Sequence, residues 1–153
     1  MTAVLFGLLF PLAAPFWALM ILAPRWSWTR RIVASPLIVV PPVLVYALLV
    51  LPRLAELLPA VAQPTLAGVQ ALLGTAGGAA AGWAHFIAFD LFVGRWIYLD
   101  SQRRGVHPLV MVPLLILTIL LAPLGLFAYL LLGHLPLRYR SAARSRPAQP
   151  VRS

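Results

Sequence analysis

From Ala3 to Ala23 the chain carries no charged side chain, and Leu, Ala and Phe supply most of the run. A stretch of that length suits the roughly 30 Å hydrocarbon core of a bilayer, which about 20 apolar residues of helix can cross. No water reaches that core, so each backbone group has to be paired within the segment, and a helix does this. The remainder of the sequence agrees with its first run. It is 62% hydrophobic and 10% charged, where soluble domains average roughly 45–50% and about 25%. A length of 153 residues leaves room for four spans with short loops and for no sizeable soluble domain. The expected fold is all-α, an integral membrane bundle of four transmembrane helices.

The spans are expected at about 3–23, 36–51, 78–99 and 109–132. The first lacks the basic leading region and small-residue cleavage site of a signal peptide, so it reads as retained. Pro11 and Pro15 should kink it. It closes in Pro24-Arg25-Trp26-Ser27-Trp28-Thr29-Arg30-Arg31, the tryptophan and arginine mixture of a membrane interface. Pro36 suits the first turn of the second span, whereas Pro41-Pro42 should bend or break it. Residues 53–77 contain Pro59 and Pro64 and read as a short interfacial or re-entrant segment between the second and third spans. Within it Thr65 is placed to cap a small helix over 66–73. Gly74 to Gly82 is almost entirely Gly and Ala, and small residues let helices approach closely in membranes. Pro113, Thr118, Pro123 and Gly125 lie in the fourth span. The basic tail at 136–153, rich in Ser, Ala and Pro, is expected to be disordered.

Twelve arginines and no lysine, against three acids, give a net charge of +9. In a soluble chain that balance would suggest nucleic acid. Here the arginines, Arg95 apart, gather in loops and tail, where they suit anionic lipid headgroups, and no nucleic-acid partner is expected. Four spans would set five arginines on one side of the membrane against six on the other, nearly a tie for orientation. The lack of cysteine removes disulfides, thiolate metal sites and thiol nucleophiles.

Chemistry concentrates in the third span, where Gly82 to Asp100 carries His85, Asp90 and Arg95 on an apolar helix. A charge near the bilayer centre costs about 2.5–3.5 kcal/mol on insertion scales, and such groups face protein or water. His85 and Asp90 fall roughly 140° apart around a helix and about 7.5 Å apart along it. They should therefore face different neighbours and form no dyad on one face. Arg95 falls on a third side with Ala88, Leu91, Tyr98 and Gln102. Polar partners must come from Tyr46, Thr118, Tyr129 or Gln70. Each ionisable group also has a structural reading. Asp90 can be a buried acid bonded to Tyr, Thr or backbone, or kept protonated by desolvation. Arg95 can snorkel to the interface, and His85 can donate to a carbonyl of another helix. No metal site is expected, because His85, His107 and His134 lie in separate segments without ligand spacing. Three ionisable groups on three faces also make a poor ion path.

Trp83-Ala84-His85-Phe86-Ile87-Ala88-Phe89-Asp90-Leu91-Phe92-Val93-Gly94-Arg95-Trp96 resembles the signature of the abscisic-acid-deficient-four-like family of integral membrane proteins. Phe16-Trp17-Ala18-Leu19-Met20 and Pro24-Arg25-Trp26 are similar to its early segments. Ala122-Pro123-Leu124-Gly125-Leu126, followed by Tyr129, resembles its Gly-Pro-(Ile/Leu)-Gly segment, with Ala122 in place of the first Gly. Phe86 stands where Tyr is common. Plant members are associated with forming neoxanthin from violaxanthin, so the resemblance implies a carotenoid or other apolar lipid as partner, beside membrane lipids and other membrane proteins. Opening an epoxide to an allenic alcohol is redox-neutral and needs an acid at oxygen and a base at carbon, with no cofactor. The resemblance thus implies an isomerase-type enzyme with His85 and Asp90 as catalytic residues. Trp83, Arg95, Trp96, Tyr46 and Tyr129 would line its substrate site. The competing expectation is a non-catalytic carotenoid- or lipid-binding or scaffold subunit of a membrane complex. With a span beginning almost at once and no plastid transit peptide, a bacterial inner membrane is the expected location.

Overall fold

The structure is a computed structural model that describes residues 1–134. All regular structure among the described residues is helical: α1 (Thr2–Leu22), α2 (Ser27–Ala34), α3 (Val40–Val50), α4 (Leu54–Ala62), α5 (Leu66–Leu73), α6 (Ala76–Arg103), α7 (Pro108–Leu120) and α8 (Ala122–His134). Short 3₁₀ turns at Pro36–Val39 and Leu51–Arg53 join α2, α3 and α4. Three runs are long and apolar enough to cross a membrane: Thr2–Leu22, Pro36–Ala62 and Ala76–Arg103.

Helix α6 is the axis of the molecule, with α1, α2, α3, α5, α7 and α8 all packed on it. Its composition explains this. Gly77, Gly78, Ala80, Ala81, Ala84, Ala88 and Gly94 are buried along it, and small side chains let neighbouring backbones come close enough for extensive van der Waals contact. Helix α1 runs in the same direction, Leu9 sharing one core cluster with Ala80, Ala81 and Ala84. Further along, the Trp17 indole occupies the space over Gly94. Helix α3 returns, bringing Val45 and Leu49 to the same cluster and Arg53 onto Gly77. The outer faces are apolar too: α1 exposes Phe6, Leu8 and Phe10, and α6 exposes Phe86, Phe89 and Phe92. Helices apolar all round suit lipid rather than water.

Several sequence expectations are met and others are displaced. Thr65 caps α5, accepting a hydrogen bond from the Gly68 amide at 3.1 Å. Pro11 and Pro15 lie inside a continuous α1. Pro41 and Pro42 do not break the second run, because a 3₁₀ turn precedes them and α3 starts at Val40, where the first-turn amides have no intrahelical partner to lose. That run continues to Ala62 instead of ending near 51. The expected interfacial segment is thereby divided: α4 extends the second run, and only α5 folds back onto α6. The tail expected to be disordered, 136–153, lies outside the described residues.

The fourth expected span is two helices. α7 and α8 meet at Leu121, which has φ −150° and ψ 75°. They double back as a hairpin beside α6. Gly105, with φ 67°, turns the chain after α6, and Pro108 opens α7, as a left-handed stop and a proline start would do. At the tip of α7, Ile119, Leu120 and Leu121 border Phe89, Asp90 and Val93, halfway along α6. From there α8 returns, placing Tyr129 against Trp96 and Gly133 against Arg104. Each arm has 13 residues, a rise of about 20 Å, short of the roughly 30 Å core. The tip owes its closeness to Gly125, where any Cβ would strike the Thr118 backbone and hydroxyl.

Candidate functional site

The hairpin stops short of the start of α6 and leaves a groove along that helix. It has a volume of about 550 Å³ and is lined by Trp83, His85, Phe86, Phe89, Asp90 and Val93 on one wall and Ile119 to Pro123 with Leu126 on the other. A second cavity, about 320 Å³, shares His85 and continues towards Tyr46, Leu54, Leu72, Leu73 and Gly78. A third, about 340 Å³, shares Val93 and Leu126 and runs on to Phe92, Trp96 and Leu130. From Gly78 to Trp96 the three follow α6 for about 27 Å, close to the thickness of the hydrocarbon core.

His85 and Asp90, expected on separate faces, both border the central groove. Their angular separation stands, but the hairpin tip and the aromatic side chains close one apolar space around both. The His85 ring stacks on Phe89 with centroids 4.6 Å apart, meets Phe86 edge-on at 6.2 Å, and lies 5.9 Å from the Tyr46 ring. Asp90 is half-buried. Among the described residues neither His85 nor Asp90 hydrogen-bonds to the protein, and of the partners considered for them only Tyr46 lies beside one, its ring near that of His85. The Thr118 hydroxyl donates to the Leu114 carbonyl at 2.7 Å, that of Tyr129 to Asp100 at 2.7 Å, and Gln70 is exposed.

The remaining candidates separate. Trp83 borders the groove and packs near Phe6, with ring centroids 6.2 Å apart. Tyr46 belongs to the neighbouring cavity. Trp96 lies at the far end of the chain of cavities and meets Tyr129 edge-on at 5.6 Å. Tyr129 itself lines none of these cavities and instead ties α8 to Asp100, which is also paired with Arg104. Arg95 points away from the groove. Its Nε donates to the Val33 carbonyl at 2.8 Å and its Nη2 to the Ala34 carbonyl at 2.6 Å. Those are carbonyls of the last turn of α2, where a cation is favoured by the helix dipole. Two charge-assisted bonds at about 1.5–3 kcal/mol each offset an insertion cost that, this far from the bilayer centre, is below about 2.5–3.5 kcal/mol. The arginine is explained by the fold.

Sequence reasoning missed the hairpin wall of the site, Ile119 to Leu126, and the lining from α5. A signal for the first was present in Ala122-Pro123-Leu124-Gly125. Proline is favoured at a helix start, and Gly125 marks close backbone approach.

The sequence pattern of the family described as ABA DEFICIENT 4-like matches residues 4–129. The chain belongs to that family. Membership links it to carotenoid and xanthophyll chemistry in general terms. The matched region covers every residue that lines the three cavities except Leu130. No curated relative and no solved structure matches the chain. Among the described residues no group of three or more His, Asp and Glu side chains could hold a metal ion.

Proposed function

We propose that this ABA DEFICIENT 4-like protein is an integral membrane protein that holds a carotenoid lengthwise along α6 and rearranges one end of it by acid/base chemistry at His85 and Asp90. The observation that carries the reading is the pair itself: the two ionisable side chains bordering a long apolar groove, neither with a hydrogen-bond partner among the described residues. An acid this deep is costly unless something engages it. The run of cavities, about 27 Å long by helix rise, suits a stretch of rod-shaped polyene. The pair lies about 10 to 18 Å in from its Gly78 end, so the reacting end group would sit within the run with the polyene leading off past Trp96. Phe86, Phe89, Phe92 and Trp96 line the run.

In an epoxide opening of the isomerase type, one group takes a proton from carbon, the electrons of that C–H bond form the new carbon–carbon π bond, the C–O bond breaks, and the oxygen receives a proton from the other group. The balance closes without a redox partner. Imidazole and carboxyl can fill the two roles in either order, and their separation of about 7.5 Å along the helix axis allows them to address atoms a few bonds apart. Trp83 and Tyr46 would border the reacting end, and Trp96 the far end. Arg95 and Tyr129 hold α2 and α8 in place around the site.

Pigment analysis of protein purified in mild detergent tests this, with wild type beside Asp90→Asn and His85→Ala. The wild type should carry a carotenoid altered relative to the host pool, and each folded variant an unaltered one. An unaltered carotenoid on the wild type would end the catalytic reading and leave a binding or scaffold role.

A further inference from the structure

The hairpin changes where the positive charge lies. A continuous fourth span would carry the chain after α8 to the opposite side; the hairpin returns it to the end of the molecule where α6 finishes, with Gly133 against Arg104. Arg25, Arg30 and Arg31 follow α1 at this same end. Tyr98 and Gln102 of α6 donate to the Pro24 carbonyl at 2.9 and 3.3 Å, and Arg25 donates to His107 at 2.9 Å. Arg95, Arg103 and Arg104 belong to the same end. At the other end of α6 the described residues hold one arginine, Arg53, close to Glu56 in sequence. The chain then runs on from α8 into a segment with five more arginines.

Helix α2 is built for a charged membrane surface. It buries Thr29 and Val33 against the bundle and exposes Trp28, Arg30 and Arg31, with Trp26 beside them; Arg31 lies over the Trp28 ring at 5.5 Å. A short helix packed on the bundle that turns tryptophan and arginine outward has the composition of a membrane–water interface facing anionic lipid. Arginine excess also marks the cytoplasmic side of a spanning protein.

We propose that the arginine-bearing end is the cytoplasmic one, that Arg25, Arg30, Arg31 and Arg103 form a collar binding anionic phospholipid headgroups, and that Tyr46 and His85 open into the opposite leaflet. The last clause rests on the groove being the functional site; orientation and collar do not. Tyr46 of α3 and the cavity beside His85 lie alongside the half of α6 that starts at Ala76, so a ligand end group handled there enters from the non-cytoplasmic half of the bilayer.

The chain has no cysteine, so single cysteines report sidedness cleanly. In a bacterial host, full-length Gln63→Cys should react with a membrane-impermeant maleimide in intact cells, and Ser27→Cys only after permeabilisation. The reverse pattern, or equal labelling of both, would overturn the orientation. Lipids retained by the detergent-purified protein give the second readout. Phosphatidylglycerol should be enriched several-fold over its share of the host membrane in the wild type, and that enrichment should be lost in Arg30→Gln/Arg31→Gln/Arg103→Gln. Equal enrichment in both would overturn the collar. Neither measurement involves pigment, so failure here and failure of the carotenoid reading are separable.

Discussion

The Trp17 indole fills the volume that a side chain at Gly94 would need, locking α1 to α6 where Ala13, Met20 and Leu91 are also buried. Gly94→Ala should therefore overpack the contact and destabilise the protein by about 1–3 kcal/mol. Trp17→Leu in the same chain should recover part of that loss, although Trp17→Leu alone is destabilising. Thermal unfolding in detergent of the two single variants and the double variant checks this, and additive losses would show that the residues do not share the space.

Arg95 spans from α6 to the last carbonyls of α2. Arg95→Met leaves those carbonyls without their donor, a cost of about 1–3 kcal/mol that falls mainly on the part-buried Val33 carbonyl, since the bond to Ala34 is exposed. Arg95→Lys, which offers a point charge in place of a planar fork, should lose less. Carotenoid retained per folded molecule should be unchanged in both variants, since the guanidinium points away from the groove. A drop in retained pigment with unchanged thermal stability would place Arg95 in the ligand site instead.

How far the sequence could lead depended on which contacts are local. The all-α class, the three long apolar runs, the Thr65 cap and the central place of the His85–Asp90–Arg95 helix were all legible, because each follows from composition or from spacing along one helix. The hairpin was not, because α7 and α8 together have the length and hydropathy of one span. What separates them is the close approach of Thr118 and Gly125 across the turn, a tertiary contact. The same limit applied to the site. Helical geometry assigned His85 and Asp90 correctly to different angles, yet only the hairpin tip shows that one groove borders both. Arg95 illustrates the converse: its carbonyl partners lie some sixty residues earlier in the chain, beyond the reach of any local pattern.

Tyr129 holds the returning arm of the hairpin by donating to Asp100 at 2.7 Å. Tyr129→Phe removes that bond but leaves Asp100 its pairing with Arg104, so a loss of about 1.5 kcal/mol is expected. Tyr129→Leu also removes the edge-to-face contact with Trp96, adding about 0.5–1.5 kcal/mol. Hydrogen exchange should locate the loosening in α8 and leave α1 and α3 protected. Uniform loss of protection would mean that the hairpin is no separate unit.

The hairpin itself is open to a direct chemical test. In the structure Gly133 lies against the Arg104 side chain, whereas a continuous helix over 109–132 would carry residue 133 about 36 Å from the end of α6. The chain Arg104→Cys/Gly133→Cys, treated in native membranes with a short bis-maleimide, should form an intramolecular cross-link recovered as one joined peptide pair. Arg104→Cys/Leu121→Cys should form none, because Leu121 sits at the tip, about 20 Å down either arm. Cross-linking of the first pair alone requires the chain to leave α8 on the side where it entered α7. Absence of that cross-link, with both cysteines shown to be reactive, would restore the fourth span. It would also return the five arginines that follow α8 to the opposite side, and with them the near tie in charge that left orientation open.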